Sequence, residues 1–188
     1  MSTGVIIAII VIVLVVLIAL YLFSAYNSLV KLKNSVEEAF ATMDVYLKKR
    51  WDLIPNIVAT VKGYAKHEAQ TLENVVAARN SNYQSLTDEG KIEVNTQLSK
   101  GLAGFSALAE RYPDLKANQN FLDLSRELKS TEEDIANARK YYNAVVKRYN
   151  NKVEMFPSNI IAKMFNFTKK QMFMVDDAVQ RENVKVEF

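Results

Sequence analysis

The hydrophobic pattern of this chain begins with an apolar run over residues 5–23, which contains no charged residue, proline or glycine. Roughly 19 residues at about 1.5 Å each match the ~30 Å hydrocarbon core of a bilayer. Because backbone amides in lipid need internal partners, the run is predicted to be a transmembrane helix within an anchor of residues 1–24. Its positions include Val5, Ile10, Val15, Leu20 and Phe23.

A cleaved signal peptide is the alternative interpretation of this run. It fits less well, since Met1-Ser2-Thr3-Gly4 has no basic residue and Ser24-Ala25-Tyr26-Asn27 lacks a clear cleavage site. The first basic residues, Lys31 and Lys33, follow the run, and Lys48, Lys49 and Arg50 come later. The positive-inside rule therefore predicts that the N-terminus lies outside and the body lies in the cytoplasm.

Beyond the run, apolar residues recur at helical spacings of three and four. Residues 25–49 contain no helix breaker and are predicted to continue the membrane helix into water. The apolar stripe of this helix is formed by Leu29, Leu32, Val36, Phe40, Met43 and Leu47. The segment from Arg50 to Asn56 is predicted to be the first corner, with Asp52 as the cap of a new helix and Pro55 in its first turn.

Three further helices are predicted, over residues 53–82, 88–111 and 118–156. The second helix has its apolar stripe on Ile54, Ile57, Val58, Val61, Tyr64, Ala65, Leu72, Val75 and Val76. The third has its stripe on Val94, Leu98, Gly101, Phe105, Leu108 and Tyr112. The third helix follows a cap signal at Thr87-Asp88-Glu89-Gly90 and ends before Pro113. The fourth carries a heptad seam that Pro157 stops, made of Phe121, Leu124, Leu128, Thr131, Ile135, Ala138, Tyr142, Val145, Tyr149 and Phe156.

Four amphipathic helices with short links predict an all-α fold. We expect an N-terminal transmembrane helix continuous with a long antiparallel up-down four-helix bundle over residues 25–156. Residues 157–188 are predicted to form a short helix and a C-terminal tail, whose last residues, 184–188, alternate like a strand. Only three prolines and five glycines are present, which leaves little material for the turns of a β-rich fold.

Several short motifs along these helices resemble those of a known protein family. They are Arg50-x-Asp52-Leu53-Ile54-Pro55-Asn56, Val61-x-Gly63-Tyr64-x-x-His67-Glu68, Ala77-Ala78-Arg79, Tyr149-Asn150 and Phe156-Pro157-Ser158-Asn159-Ile160-Ile161-Ala162. Jointly they resemble the bacterial LemA family over nearly the whole chain. The resemblance implies a single-pass protein of the bacterial inner membrane with a long helical bundle. It supplies no reaction, but it implies association with membrane stress responses and membrane metallopeptidases.

The residue inventory argues against an enzyme. His67 is the single histidine and there is no cysteine, whereas a zinc or iron site normally needs several His, Cys or carboxylate ligands at set spacings. The chain has no nucleophile elbow, phosphate loop or dinucleotide fingerprint. A net charge of +3 is too small to predict nucleic-acid binding. We therefore expect no catalytic residue, cofactor, metal, nucleic acid or small-molecule substrate, and we interpret Glu132-Glu133-Asp134 as a solvated helix face.

Some polar residues of the motifs do not lie on a solvated helix face. Glu68 lies on the apolar face of the second predicted helix, and Arg79 lies on the same face three turns later. If buried, each needs a partner on another helix. We predict a structural polar layer built from motif residues, with a functional site between helices as the alternative; the candidates are Arg50, Asp52, Pro55, Asn56, Glu68 and Arg79.

The segment after Pro157 mixes apolar and basic side chains in a way that suits a membrane surface. Its candidate contacts are Ile160, Ile161, Phe165, Phe167, Lys169 and Lys170. Closure of the bundle end or a subunit contact explains the same residues equally well. The predicted function is a non-enzymatic membrane-anchored scaffold that forms a homo-oligomer or holds partner membrane proteins. The alternatives are a lipid-organising protein and, through the resemblance, an accessory of a stress-response peptidase.

Overall fold

The structure of the chain is a computed structural model that describes residues 2–64, 76 and 82–173, with the backbone alone at 100 and 103–109. Every regular element within these ranges is helical. The elements are α1 (Thr3–Tyr64), a one-turn 3-10 helix (Tyr83–Ser85), α2 (Asp88–Arg111), α3 (Pro113–Lys116), α4 (Gln119–Glu154) and α5 (Ser158–Met164). The predicted all-α class with a long apolar N-terminal helix is therefore confirmed.

Helix α1 passes straight through the segment where the sequence predicted a corner. Pro55 lies inside this helix, so the predicted break between residues 49 and 53 is wrong and Asp52 does not cap a new helix. An interior proline costs a helix about 3 kcal/mol. Burial of apolar side chains on both sides of the proline offsets that cost; these side chains are Leu47, Trp51, Leu53, Ile54, Ile57, Val58 and Val61.

The other helix ends follow the signals in the sequence. The hydroxyl oxygen of Thr87 accepts a hydrogen bond from the Gly90 amide at 3.2 Å, and Asn118 Oδ1 accepts one from the Phe121 amide at 3.0 Å. Both are N-cap contacts that satisfy an amide of the first helical turn. Helix α2 has the predicted bounds, and α4 begins one residue later and ends two residues earlier than predicted.

The described residues form two compact units. The first contains residues up to 42 and residues 140–172. In it α4 is antiparallel to α1, because the rings of Phe40 and Tyr142 lie 5.7 Å apart, whereas the later Val153 packs against the cluster that contains the earlier Ala25 and Leu29. Its buried residues are Ala25, Leu29, Val36, Ala39, Phe40, Tyr142, Val145, Val146, Tyr149, Ile161 and Ala162. Phe156, the last position of the predicted seam, is exposed instead.

The second unit contains residues 43–139 and Phe173. Here α4 is antiparallel to α1, since Arg50 binds Glu132 and Tyr64 binds Asn118. Helix α2 is parallel to α1, because its Lys91 and Asn95 bind Asp44 and Arg50 in the same order. The predicted stripe of this helix is shifted, since the structure buries Ile92, Asn95, Leu98 and Leu102 and leaves Val94 half-buried.

An extended segment follows α5 and runs back along α4. The Tyr149 hydroxyl donates to the Thr168 carbonyl at 2.9 Å, and the Tyr142 hydroxyl donates to the Gln171 carbonyl at 2.9 Å. Between them, the Asn150 side chain donates to the Lys170 carbonyl and accepts from the Lys170 amide. These polar side chains take the place of a ladder partner for the extended backbone. The predicted strand-like residues 184–188 lie outside the described residues.

The apolar run at the start of α1 belongs to neither core. Its large side chains are exposed, from 39% at Tyr21 to 71% at Phe23. Among the described helices, α1 alone has a stretch long and apolar enough to cross a membrane. This exposed apolar run, residues 5–23, is compatible with a membrane anchor and is called the span below.

Candidate functional site: a buried polar network and an apolar patch beside the span

Arg50 is the centre of a polar network inside the second unit. Its side chain is fully buried. One terminal nitrogen donates to the Ser99 hydroxyl at 2.8 Å and to the Glu132 carboxylate at 2.9 and 3.1 Å. The other donates to the backbone and side-chain oxygens of Asn95, both at 2.8 Å. Arg50 therefore joins α1 to α2 and α4 through a paired and hydrogen-bonded charge.

A second group of polar residues extends this network. Asp44 accepts hydrogen bonds from the Tyr83 hydroxyl and from Lys91 Nζ, both at 2.6 Å. The Asn95 amide donates to the Tyr83 oxygen at 3.4 Å and so links this group to Arg50. Burial, and next the hydrogen bond to the negatively charged Asp44, raise the pKa of Tyr83. Tyr83 therefore stays protonated at neutral pH. We call these seven residues the Arg50 network: Asp44, Arg50, Tyr83, Lys91, Asn95, Ser99 and Glu132.

The Arg50 network holds α1, α2 and α4 together, although the buried Arg50 Nε has no hydrogen-bond partner among the described residues. Its two cations, Arg50 and Lys91, each face a carboxylate, so the formal charges balance. Both terminal guanidinium nitrogens already have protein acceptors. A fully buried arginine that holds three helices at fixed positions is a register-setting device, because any shift of one helix would strand a buried charge. Arg50 is one of the motif residues proposed for a polar layer, and its partners Asn95, Ser99 and Glu132 all lie outside the motifs.

The other motif residues are spread over different surroundings. Asp52 is exposed and pairs with Lys48 on the same helix at 2.6 Å, while Asn56 is exposed and its carbonyl accepts from Thr60. Pro55 is half-buried inside α1. These three therefore lie outside the Arg50 network. Glu68, Arg79 and His67 lie outside the described residues, so the predicted layer at Glu68 stays a prediction.

Sequence reasoning identified only Arg50 and missed the other six members of the Arg50 network, of which Asn95 and Glu132 are the most informative. Asn95 was passed over in favour of its apolar neighbour Val94, although Asn95 is the fully buried one. Glu132 was interpreted as part of a solvated face, which is wrong for this residue because it pairs with Arg50, while the next residue, Glu133, is exposed. The available signal was the unpaired Arg50 itself, since a charge within an apolar stripe requires a carboxylate on another helix.

Helix α5 packs against α1 directly beyond the span, within the first unit. Ile161 and Ala162 form a buried cluster with Ala25 and Leu29, and Phe167 packs against this cluster. The ring of Tyr26 lies 4.7 Å from that of Phe165 and 5.9 Å from that of Phe167. Ile161 is therefore a packing residue and not the predicted surface contact, and Phe167 is half-buried for the same reason.

The opposite side of α5 and the turn before it are apolar and exposed. We call this set the α5 patch: Met155, Phe156, Ile160, Met164 and Phe165. Its most exposed members are Phe156 at 78% and Met164 at 64%. Lys163, which stands beside Ile160 and Met164 on the helix, is also exposed. Of the predicted basic contacts, Lys169 pairs with Glu154 at 2.7 Å and Lys170 is half-buried.

A groove opens on α1 where the apolar span ends. It is lined by Phe23, Ser24, Asn27, Ser28, Lys31 and Leu32. Hydroxyl, amide and ammonium groups thus replace aliphatic side chains within two turns of the span, as at the polar boundary of a bilayer. In the part of the chain that the structure describes, no group of three or more His, Cys, Asp or Glu residues could hold a metal ion.

Comparison with known proteins agrees with the motifs found in the sequence. The LemA family model matches residues 39–188, which include the C-terminal part of α1 and all the later helices. The chain is also similar to Protein LemA of Metamycoplasma hominis, with 23% identity over 159 residues that cover 84% of this chain and 72% of that protein. The family match covers well over half of the sequence, so the chain belongs to the LemA family.

Proposed function

We propose that this protein is a non-enzymatic, membrane-anchored helical scaffold that self-associates or holds partner proteins at the membrane. The observation that carries this proposal is the continuity of α1, which runs from Thr3 to Tyr64 without a break. A flexible linker would let the residues after the span move freely over the bilayer. A continuous helix instead holds the residues that directly follow the span at a defined position relative to it.

Two further features support a scaffold. The span packs against no other described part of this chain, so its exposed apolar side chains are available for contacts with other molecules in the bilayer. The buried polar groups of the second unit bind one another across α1, α2 and α4, and in doing so they fix the positions of these helices. Both features are useful to a rigid platform and neither supplies a nucleophile or an acid–base pair.

The proposal is tested by measuring the mass of the full-length protein in mild detergent, together with chemical crosslinking in cells before extraction. We expect either a mass that is a multiple of one chain or a stoichiometric complex with another membrane protein. Val45, exposed at 66% on α1, offers a position for a single cysteine in this cysteine-free chain, so that crosslinks between copies can be assigned.

The control for this experiment is a variant with a cysteine at buried Leu47, which should not crosslink two folded copies. A protein that remains monomeric over a wide concentration range and carries no stoichiometric partner would contradict the scaffold proposal. The orientation with the N-terminus outside and the body in the cytoplasm is part of the same proposal, supported by Lys31 and Lys33 after the span.

A further inference from the structure

The α5 patch lies next to the end of the span. Tyr26 follows Phe23 by three residues, a rise of about 4.5 Å along α1. The Tyr26 ring contacts that of Phe165, a member of the patch, with centroids 4.7 Å apart. Ile161 and Ala162 hold α5 at this level through Ala25 and Leu29. The position of the patch relative to the span is therefore set by buried contacts within one unit.

The two sides of α5 have different tasks. Ile161 and Ala162 are each only 1% exposed and account for the packing of the helix on α1. Ile160 and Met164, four residues apart and so on one side of the helix, are 50% and 64% exposed. Closure of the bundle end thus explains why Ile161 and Ala162 are apolar, but it gives no reason for Ile160, Met164 and Phe156 to be apolar.

The chemistry of this surface suits a bilayer more than a protein partner. Tyr26, which contacts the patch through Phe165, and Phe23, the last residue of the span, are both exposed, so exposed aromatic rings lie between the patch and the span. Aromatic side chains concentrate at the boundary between headgroups and acyl chains. Exposed Lys163 beside them matches the phosphate groups of anionic lipids.

We propose that the α5 patch inserts into the headgroup–acyl boundary of the same bilayer that the span crosses, with Lys163 at the level of the lipid phosphates. The protein then contacts the membrane twice, through the span and through a short helix that lies in the interface. This second contact restrains how the first unit tilts and rotates on the bilayer. The inference rests on the membrane anchoring within the proposed function, and it needs neither self-association nor a protein partner.

The experiment uses the full-length chain in vesicles of phosphatidylcholine and phosphatidylglycerol at a high lipid-to-protein ratio. The variant Ile160→Cys carries an environment-sensitive fluorophore, and the quencher is a phospholipid with a nitroxide near its headgroup. The matched control is Tyr141→Cys, a position 58% exposed on α4 in the same unit. We expect quenching several-fold stronger at position 160 than at position 141, and weaker quenching when phosphatidylglycerol is omitted.

A second variant separates insertion from folding. Phe156→Ser with Met164→Ser, added to the labelled protein, should lower the quenching at position 160 several-fold. Both side chains are mostly exposed, so helical content and melting temperature should not change. A double change that melts the protein would assign the patch to bundle closure and overturn the inference.

Two other results would also overturn it. Equal quenching at positions 160 and 141 would show that the patch faces water. An emission shift that grows with the protein-to-lipid ratio, without nitroxide quenching, would show that a second copy covers the patch. A monomeric mass without partners, in contrast, would defeat the scaffold proposal and leave the predicted quenching unchanged.

Discussion

Arg50 brings a positive charge into a site that water does not reach. Moving such a charge out of water costs several kcal/mol unless its partners replace the lost hydration. Asn95 and Ser99 supply neutral oxygens and Glu132 supplies the counter-charge. Glu132 keeps 39% of its side chain exposed, so the pair lies at the edge of the core, where solvent still screens part of the interaction.

The first residue-scale prediction compares two adjacent carboxylates. Glu132→Gln should destabilise the protein by about 1–3 kcal/mol, because it leaves Arg50 buried without a counter-charge. Glu133→Gln, next to it but exposed, should change stability by less than about 0.5 kcal/mol. Denaturant unfolding in detergent, followed by circular dichroism, measures both values. Equal effects of the two substitutions would mean that the pairing with Glu132 contributes nothing to stability.

The second residue-scale prediction concerns alkaline pH. Tyr83 has a pKa raised by burial, so the unfolded chain releases this proton near pH 10 while the folded chain retains it. Its contribution to stability is therefore complete below about pH 10 and is lost as the pH rises above that value, by up to about 1.4 kcal/mol per pH unit. Tyr83→Phe should flatten this decline in the free energy of unfolding.

The matched control for Tyr83→Phe is Tyr141→Phe, which removes a hydroxyl from an exposed ring. At neutral pH, Tyr83→Phe should also cost about 1 kcal/mol through loss of the hydrogen bond to Asp44. Unfolding curves between pH 7 and pH 11 contain both effects. Identical declines above pH 10 for the wild-type protein and Tyr83→Phe would contradict the role assigned to this hydroxyl.

At the scale of elements, α1 decides the architecture by continuing past its proline. Leu47, Ile54 and Val61 are all buried and follow one another at intervals of seven residues, so the apolar stripe before Pro55 and the stripe after it are in phase. Arg50 lies between them and is buried as well. A corner at this place would have separated two stripes that the same neighbouring helices cover, so burial favours one helix over the local preference of proline.

The element-scale prediction follows from this placement. Pro55→Ala should stabilise the protein by about 1–3 kcal/mol, because alanine restores a backbone amide and removes a ring clash within a helix. At a corner the same change would instead lower stability, by increasing the freedom of the unfolded chain. Thermal unfolding of the detergent-solubilised protein distinguishes the two signs.

Gly63→Ala is the matched control in the same helix. Gly63 is exposed, and a Cβ added there would have no neighbouring atom within 4 Å. The substitution should therefore stabilise α1 by about 0.5–1 kcal/mol through helix propensity alone. If Gly63→Ala stabilises the protein and Pro55→Ala destabilises it, the interior position of Pro55 is refuted.

At the scale of the whole molecule, the charge distribution around the span predicts the topology in the membrane. No basic residue precedes the span, and Lys31 and Lys33 follow it. Glu133 is exposed and distant from the span in the sequence, so Glu133→Cys gives a clear reporter in this cysteine-free chain. We expect a membrane-impermeant thiol reagent to label this cysteine only after the cells are opened. Labelling in intact cells would place the body outside.

Hydrophobic periodicity by itself determined the all-α class, the span and most helix boundaries. These features are local, because a run of apolar residues, a cap such as Thr87 or Asn118 and a stripe of period 3.6 act through neighbours within a few residues. The motifs likewise identified the family. Nearly all positions of the seam on α4 are buried or half-buried as predicted. Phe156 is exposed instead, because it lies beyond the end of the helix.

Only the tertiary structure decided the features that depend on residues distant in the sequence. The path of α1 through Pro55 depends on burial by other helices, which outweighs a local preference worth about 3 kcal/mol. Asn95 is buried because its oxygens accept hydrogen bonds from Arg50, and Glu132, although still 39% exposed, pairs with Arg50 at the edge of the core. The two sides of α5 look alike in the sequence, and contact with Ala25 and Leu29 selects Ile161 for the core and leaves Ile160 exposed.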